Sequence, residues 1–293
     1  MEFLIAYLIA GLVSGAIYSL IGIGMNLLLV VSRVVLFAYG EVIVFSMYTC
    51  WLVHRITESY FIGFVVAVVV AIALMLIIEP LLRGLRERRL MTETLVITIA
   101  IGMILTEIMA QYFNAGNPVA FSGKIVGGGW DMIYGLIRIT GADIYVIVAS
   151  IAFMAALVWY LFNTRRGKGL RAIAHNIQAA KLLGIPIHRS TMISFIIAGL
   201  LSGITAILFI LTMGAAGPTL GEHVTFKGMA VMMIGGMGSL KGAVVGGLML
   251  GIIECLVRGY FIGDWVDAIA MGCIMIVIII KPSGLMGSAH SSH

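Results

Sequence analysis

Glu41, Glu107, His223, Lys227 and Glu254 are ionisable side chains set inside long apolar runs, with Asn26, Tyr39, Thr98 and Thr106 as polar company. A charge at the centre of a bilayer costs about 2.5–3.5 kcal/mol or more, so such residues need a partner or a task. The plain alternative is a structural pair, or a charged tip reaching for an interface. Charge pairing and polar contact with a solute are the chemistry open to them. Bond-making sets are missing: the sequence has no HExxH, no CxxC and no serine nucleophile elbow. It has no GxxxxGK[ST] either, so ATP finds no P-loop in this chain. A chain without catalytic residues, cofactor or metal is expected, and His290 and His293 in the terminal stretch are given no metal role.

Those groups must be positioned by membrane helices. Of 293 residues, 61% are hydrophobic and 11% charged, with mean hydropathy +1.14. Soluble domains carry about 25% charged residues, so the composition excludes a soluble fold. Apolar segments fall near 4–31, 34–53, 61–82, 92–113, 143–163, 190–213, 222–240, 242–258 and 264–281. Each approaches the roughly 20 residues of a helical span, and helices satisfy the backbone groups that lipid cannot. The expected fold is all-α, a polytopic membrane protein of about 8–9 helices in one domain over 1–287, with 288–293 as a disordered end. Segments 34–53 and 222–240 carry polar groups and glycines, so either could be re-entrant or broken. The run 3–31 lacks a basic leader and exceeds a signal-peptide core, so it is expected to stay in the mature protein. Cys50, Cys255 and Cys273 lie in apolar runs and indicate no disulfide framework.

The net charge of +5 is a topological signal. Four arginines within 83–89 and six basic residues within 164–189 mark two cytoplasmic loops. This puts 114–142 and the N-terminus outside and the C-terminus in the cytoplasm, and makes nucleic acid a poor partner. In the second basic loop Leu170, Ile173, Ala174, Ile177 and Gly184 fall at helical spacing. They predict one short amphipathic helix over 169–184, ended by Pro186. Such a helix could simply lie on anionic lipid. The glycine-rich stretch 114–142 reads as a long external loop, on which a soluble donor protein could dock. Gly235-Gly236-Met237-Gly238 favours a bend.

An internal repeat links the two ends. Gly11-Leu12-Val13-Ser14-Gly15 recurs as Gly199-Leu200-Leu201-Ser202-Gly203, an offset of 188 that also aligns Tyr39 with Lys227 and Gly40 with Gly228. Five segments separate the copies' starts, so the halves 4–113 and 190–281 are expected to be inverted, as in transporters. GLVSG and GLLSG also have the small-residue spacing that packs helices closely. Positions near the repeat axis (Asn26, Tyr39, Gly40, Glu41, Lys227 and Gly228, with Glu107 added for its charge) are the candidate solute pathway. On the same ground Glu41 is expected to pair with Lys227.

Gln178-Ala179-Ala180-Lys181-Leu182-Leu183-Gly184 resembles the EAA-x3-G loop of ABC importer permeases, with Gln at the usual Glu. Other stretches, in order along nearly the whole chain, resemble the permeases of branched-chain amino acid ABC importers, of the LivH type. They are Gly11-Leu12-Val13-Ser14-Gly15-Ala16-Ile17-Tyr18-Ser19-Leu20, then Leu36-Phe37-Ala38-Tyr39-Gly40-Glu41, then Arg171-Ala172 with Leu182-Leu183-Gly184-Ile185. Gly235-Gly236-Met237-Gly238-Ser239, Gly242-Ala243-Val244 and Pro282-Ser283-Gly284-Leu285 close the series. The resemblance implies a permease subunit of the inner (plasma) membrane that brings a branched-chain or other hydrophobic amino acid into the cytoplasm. Leu36 and Tyr39 stand where the family often has Asn and His, which leaves urea, an amide or a small carboxylate open. The residues alone also admit an autonomous channel or an ion-coupled carrier. Implied partners are a second permease chain (a copy or a relative), two ATP-binding cassette subunits that hold the ATP, and an extracytoplasmic solute-binding protein. Arg171, Gln178, Ala179, Ala180, Leu183 and Gly184 would then couple to the ATPase.

Overall fold

The computed structural model describes residues 2–88, 90–113, 116–121, 129–132 and 137–260, with isolated positions between 268 and 286. Segment 264–281, the Pro282-Ser283 step, Cys273, Gly123 to Gly128 and the 288–293 end lie outside or largely outside these residues. Ten helices run in the order α1 (Glu2–Ser32), α2 (Tyr39–Thr57), α3 (Tyr60–Glu87), α4 (Met91–Tyr112), α5 (Gly141–Asn163), α6 (Arg165–His175), α7 (Ile177–Leu182), α8 (Ile187–Met213), α9 (Leu220–Gly235) and α10 (Leu240–Tyr260) among the described residues. Six of these, α1, α3, α4, α5, α8 and α10, are long and apolar enough to cross a membrane. The protein is thus a polytopic helical membrane protein. Segments 34–53 and 222–240 became α2 and α9, of 19 and 16 residues, each entered through a non-helical stretch at 33–38 or 214–219.

The chain divides into two compact units, Leu27–Ser122 with Phe153–Phe226, and Met1–Asn26 with Gly123–Ala152 and Lys227–His293. In the first, α3 packs along α8. A Cβ added at Gly199 would lie 2.8 Å from Ile72 Cα, and one at Gly203 would lie 2.7 Å from Val68 Cα. As one number rises the other falls, so the helices run antiparallel with backbones in contact. In the second unit α1 meets α10 the same way: Gly11 would strike Ile252 Cα at 2.8 Å and Gly15 would strike Leu248 Cα at 2.8 Å. One small-residue contact is therefore built twice, which is the physical content of the GLVSG/GLLSG repeat.

Three expectations change. The loop 114–142 carries strands: β1 (Val119–Ala120) and a hairpin of β2 (Gly129–Met132) with β3 (Ile137–Thr140), and β1 pairs antiparallel with β4 (Ala215–Ala216). The single helix over 169–184 is two, because Asn176 is extended and its Oδ1 accepts from Gln178 N and Ala179 N to start α7. Gly184 (φ 75°) ends the turn after α7, and Pro186 is instead the N-cap of α8. Finally, Arg83 and Arg86 are not in a loop. They lie on α3 beyond Pro80 and pair with the buried Glu79, Arg86 at 3.7 Å.

Overpacking a tight contact costs about 1–3 kcal/mol. Gly203→Val should therefore lower the Tm of the purified protein by several degrees, measured by a thiol-independent melt in detergent. Gly84→Ala, where an added Cβ meets nothing within 4 Å, should leave it unchanged or higher.

Candidate functional site

The helix N-termini of α2 and α9 converge in the Leu27–Ser122 and Phe153–Phe226 unit. α1 ends in a left-handed cap, Arg33 (φ 57°) with its N–H on Leu29 O, and α8 ends likewise, Gly214 (φ 62°) on Ile210 O. After each cap the chain runs unwound before helix resumes, at Tyr39 and at Leu220. That is an offset of 181 in place of 188, since α8 stops earlier than its counterpart. It aligns Gly40-Glu41 with Gly221-Glu222. Tyr39 and Lys227 are therefore not equivalents.

Gly40 and Gly221 touch. A Cβ on Gly40 would collide with Gly221 O, and one on Gly221 would sit 3.0 Å from Glu41 Cα. No side chain of its own caps α2. The cap comes from α9: Gly40 N donates to Thr225 Oγ1 at 2.9 Å, and the Thr225 hydroxyl faces Phe37 O at 3.0 Å and Glu41 Oε2 at 3.2 Å. Glu41 is buried, and Gly102 of α4 lies against it, since a Cβ there would be 3.4 Å from its carboxyl carbon. Tyr39 is fully buried and donates to Ala198 O at 3.2 Å. Glu222 and His223 are exposed at the start of α9. Glu107 is on the exposed face of α4, bonded to Gln111, and is not drawn into this cluster.

In the other unit, Lys227 has a different partner from the one expected. Its Nζ lies 2.8 Å from Glu254 Oε1 and 3.2 Å from the Tyr18 hydroxyl. Tyr18 donates to Glu254 Oε2 at 2.8 Å, and Arg258 adds a bond at 2.7 Å to Oε1. Glu41 and Lys227 each have partners of their own, so the pairing drawn from the 188 offset is replaced. Asn26 is a clamp: Oδ1 accepts from Gly238 N at 2.7 Å and Nδ2 donates to Ser239 O at 3.0 Å, closing the turn between α9 and α10. Gly228 is a packing position, with Met25 Sδ 2.5 Å from an added Cβ.

The basic segment presents an apolar tip. Leu182 is 90% exposed and Leu183 78%, whereas Ala180 is 1% exposed and faces inward. Gln178, Ala179 and Gly184 are exposed beside them. Arg171 is turned back, its Nε on Leu161 O at 3.0 Å and its guanidinium over the Phe162 ring. Thr225, Gly221, Tyr18 and Leu182 were missed from the sequence. The recurrence of Gly-Glu at 40–41 and 221–222 was the available signal, and the 188 alignment concealed it.

The family model described as branched-chain amino acid transport system / permease component matches residues 7–279. The chain belongs to that family. The branched-chain amino acid permease LivH of Escherichia coli is 27% identical over 94% of this chain and 93% of its own length. The ribose import permease RbsC of the same organism is 28% identical, over 55% of this chain and 51% of its own. Among solved structures, PsaBC from Streptococcus pneumoniae in complex with Fab matches 97% of this chain and 93% of its own chain at TM-score 0.51 and 17% identity, a likeness of fold.

Substitutions at Thr225 and at the Glu254–Lys227 pair probe the permease. Thr225→Val removes both the cap on Gly40 and the hydroxyl at Glu41; an unmet buried polar group costs about 1–3 kcal/mol, so folded yield and transport should fall, with Thr225→Ser restoring both. Glu254→Gln leaves two cations facing a neutral amide and should reduce detergent stability more than Lys227→Met, after which Glu254 keeps Arg258 and Tyr18. Breaking such a pair costs about 3–5 kcal/mol, and paired thermal melts would show the asymmetry.

Proposed function

We propose that this permease imports branched-chain amino acids across the inner (plasma) membrane as one half of a paired translocation unit. A second permease chain, two ATPase subunits that bind the ATP, and an extracytoplasmic solute-binding protein would complete it. The observation that carries the reading is the pair of interrupted helices, α1–α2 and α8–α9, whose restarted ends meet at Gly40 and Gly221 beside a buried carboxylate. Transporter sites are built from such broken helices, in inverted repeats, near the membrane midplane. Family membership and the length of the LivH match point the same way. Tyr39 is held by its bond to Ala198 O and Leu36 is buried, so packing accounts for the departures at 36 and 39 without a change of substrate. On this reading 164–189 lies in the cytoplasm, with the N-terminus outside and the C-terminus within.

The ATPase would be met by Leu182 and Leu183 at the exposed end of α7, with Ala179 and Gly184 flanking them. Glu41, with Thr225 and Gly40, would line the pathway, while Tyr39 would hold its wall. The test is affinity purification from the native membrane together with leucine uptake. ATPase subunits should co-elute, and leucine rather than urea should compete for uptake. Burial of a leucine contributes about 1.5–3 kcal/mol, so Leu182→Asp should weaken ATPase recovery about tenfold or more while the chain still inserts. Full recovery with that variant would refute the docking assignment, and uptake of urea without leucine competition would refute the substrate.

A further inference from the structure

Arg33 and Gly214 hold corresponding places, each the left-handed cap that ends a long helix before a break. Glycine suits that conformation because it has no Cβ to crowd the following carbonyl, and the second break uses it. The first break puts an arginine there and accepts the backbone strain. A long side chain at a position that suits glycine calls for a reason, and its contacts supply one. The Arg33 Nη2 donates to Ala174 O at 3.4 Å, in the last turn of α6. A guanidinium there also meets the negative end of the α6 dipole. It does so although α6 itself carries Arg165, Arg166, Lys168 and Arg171, so the contact is made against like charge.

Each break is thus tied to a different connecting segment. The second is held by strand pairing: Ala215–Ala216 joins Val119–Ala120, and Phe121 N donates to Gly214 O at 2.9 Å. The first is held by Arg33 to the elbow at Asn176, from which α7 presents Leu182 and Leu183. Between Arg33 and the Gly40–Glu41 cluster lies the short non-helical stretch 34–38, whose Val34, Leu36 and Ala38 are buried, so packing fixes its course and a shift at Arg33 is carried on to the start of α2.

We propose that Arg33 is a positioning residue through which movement of the α6–α7 elbow is passed to the first helix break, so that ATPase motion and pathway opening stay in step. The inference rests on the docking of an ATPase at α7 and goes beyond it. Coupling between two sites is typically worth roughly 5- to 150-fold, and the low end of that range is the effect expected here. The experiment uses the purified complex in proteoliposomes, with leucine transported per ATP hydrolysed as the readout, in wild type, Arg33→Gly and Arg33→Lys. Arg33→Gly should keep its ATPase subunits, keep or gain thermal stability because the strain is relieved, and keep hydrolysing ATP. Its leucine-to-ATP ratio should fall about fivefold or more. Arg33→Lys, which retains a donor of similar reach, should recover most of the ratio. An unchanged ratio in Arg33→Gly with the ATPase still bound overturns the inference and leaves the docking reading standing. Equal loss in Arg33→Gly and Arg33→Lys, or loss of the ATPase from Arg33→Gly, also overturns it. If wild type retains no ATPase, the docking reading and this inference fall together.

Discussion

Backbone amides have no water to turn to inside a membrane, so a helix that starts there must find its hydrogen-bond partners in protein. α2 starts inside the protein, and the close approach of Gly40 to Gly221 is what lets its Gly40 amide find a partner. With no Cβ on either residue, α9 comes near enough for Thr225 to accept the Gly40 amide and to reach Glu41. Any larger residue at 40 would collide with Gly221 O and move Thr225 away from the amide it satisfies. The buried carboxylate, the unwound stretches before it and the reach of Gly102 toward it all depend on that one contact.

The same logic sets the helix pairs around the breaks. α3 with α8, and α1 with α10, pack through glycines that let backbone meet backbone, so long apolar helices are held without large interlocking side chains. Lipid tails are as apolar as leucine, which leaves close van der Waals contact as the main source of helix association. Rigid pairs of this type leave mobility to the connections. The two breaks, each tied to a separate segment, are where a change of conformation would be taken up.

Buried charge is handled by gathering it. Glu254 receives Lys227, Tyr18 and Arg258 on one carboxylate, and Glu79 receives Arg83 and Arg86. Pairing offsets the desolvation of each ion, although a hydrophobic replacement of the whole set could serve stability as well. The Glu254 cluster, which joins α1, α9 and α10, is better understood as fixing which helix faces meet, whereas the Glu79 cluster lies within α3. Asn26 plays a comparable part without charge, since it holds a glycine turn whose residues Gly236 (φ 103°) and Gly238 (φ 94°) have no conformational preference of their own to hold it.

Sequence alone determined the class of the molecule, the apolar helices, the packing role of the four repeat glycines and the family, and it marked 34–53 and 222–240 as segments that could be re-entrant or broken. These follow from hydropathy, helical length and short-range spacing, which the order of residues carries directly. Glu41 was legible as a buried group because an acid in the middle of an apolar run is carried into the membrane with its helix. Only the tertiary structure decided who meets whom. Lys227 turned to Glu254 rather than Glu41, Thr225 became the cap of a helix far away in the chain, and Ala180 faced inward while Leu182 faced out. The alignment that misplaced Lys227 was ungapped, and it could not register that α8 stops earlier than α1. Where a helix ends in a membrane depends on which distant group can take up its freed backbone bonds, and that is a property of the packed chain.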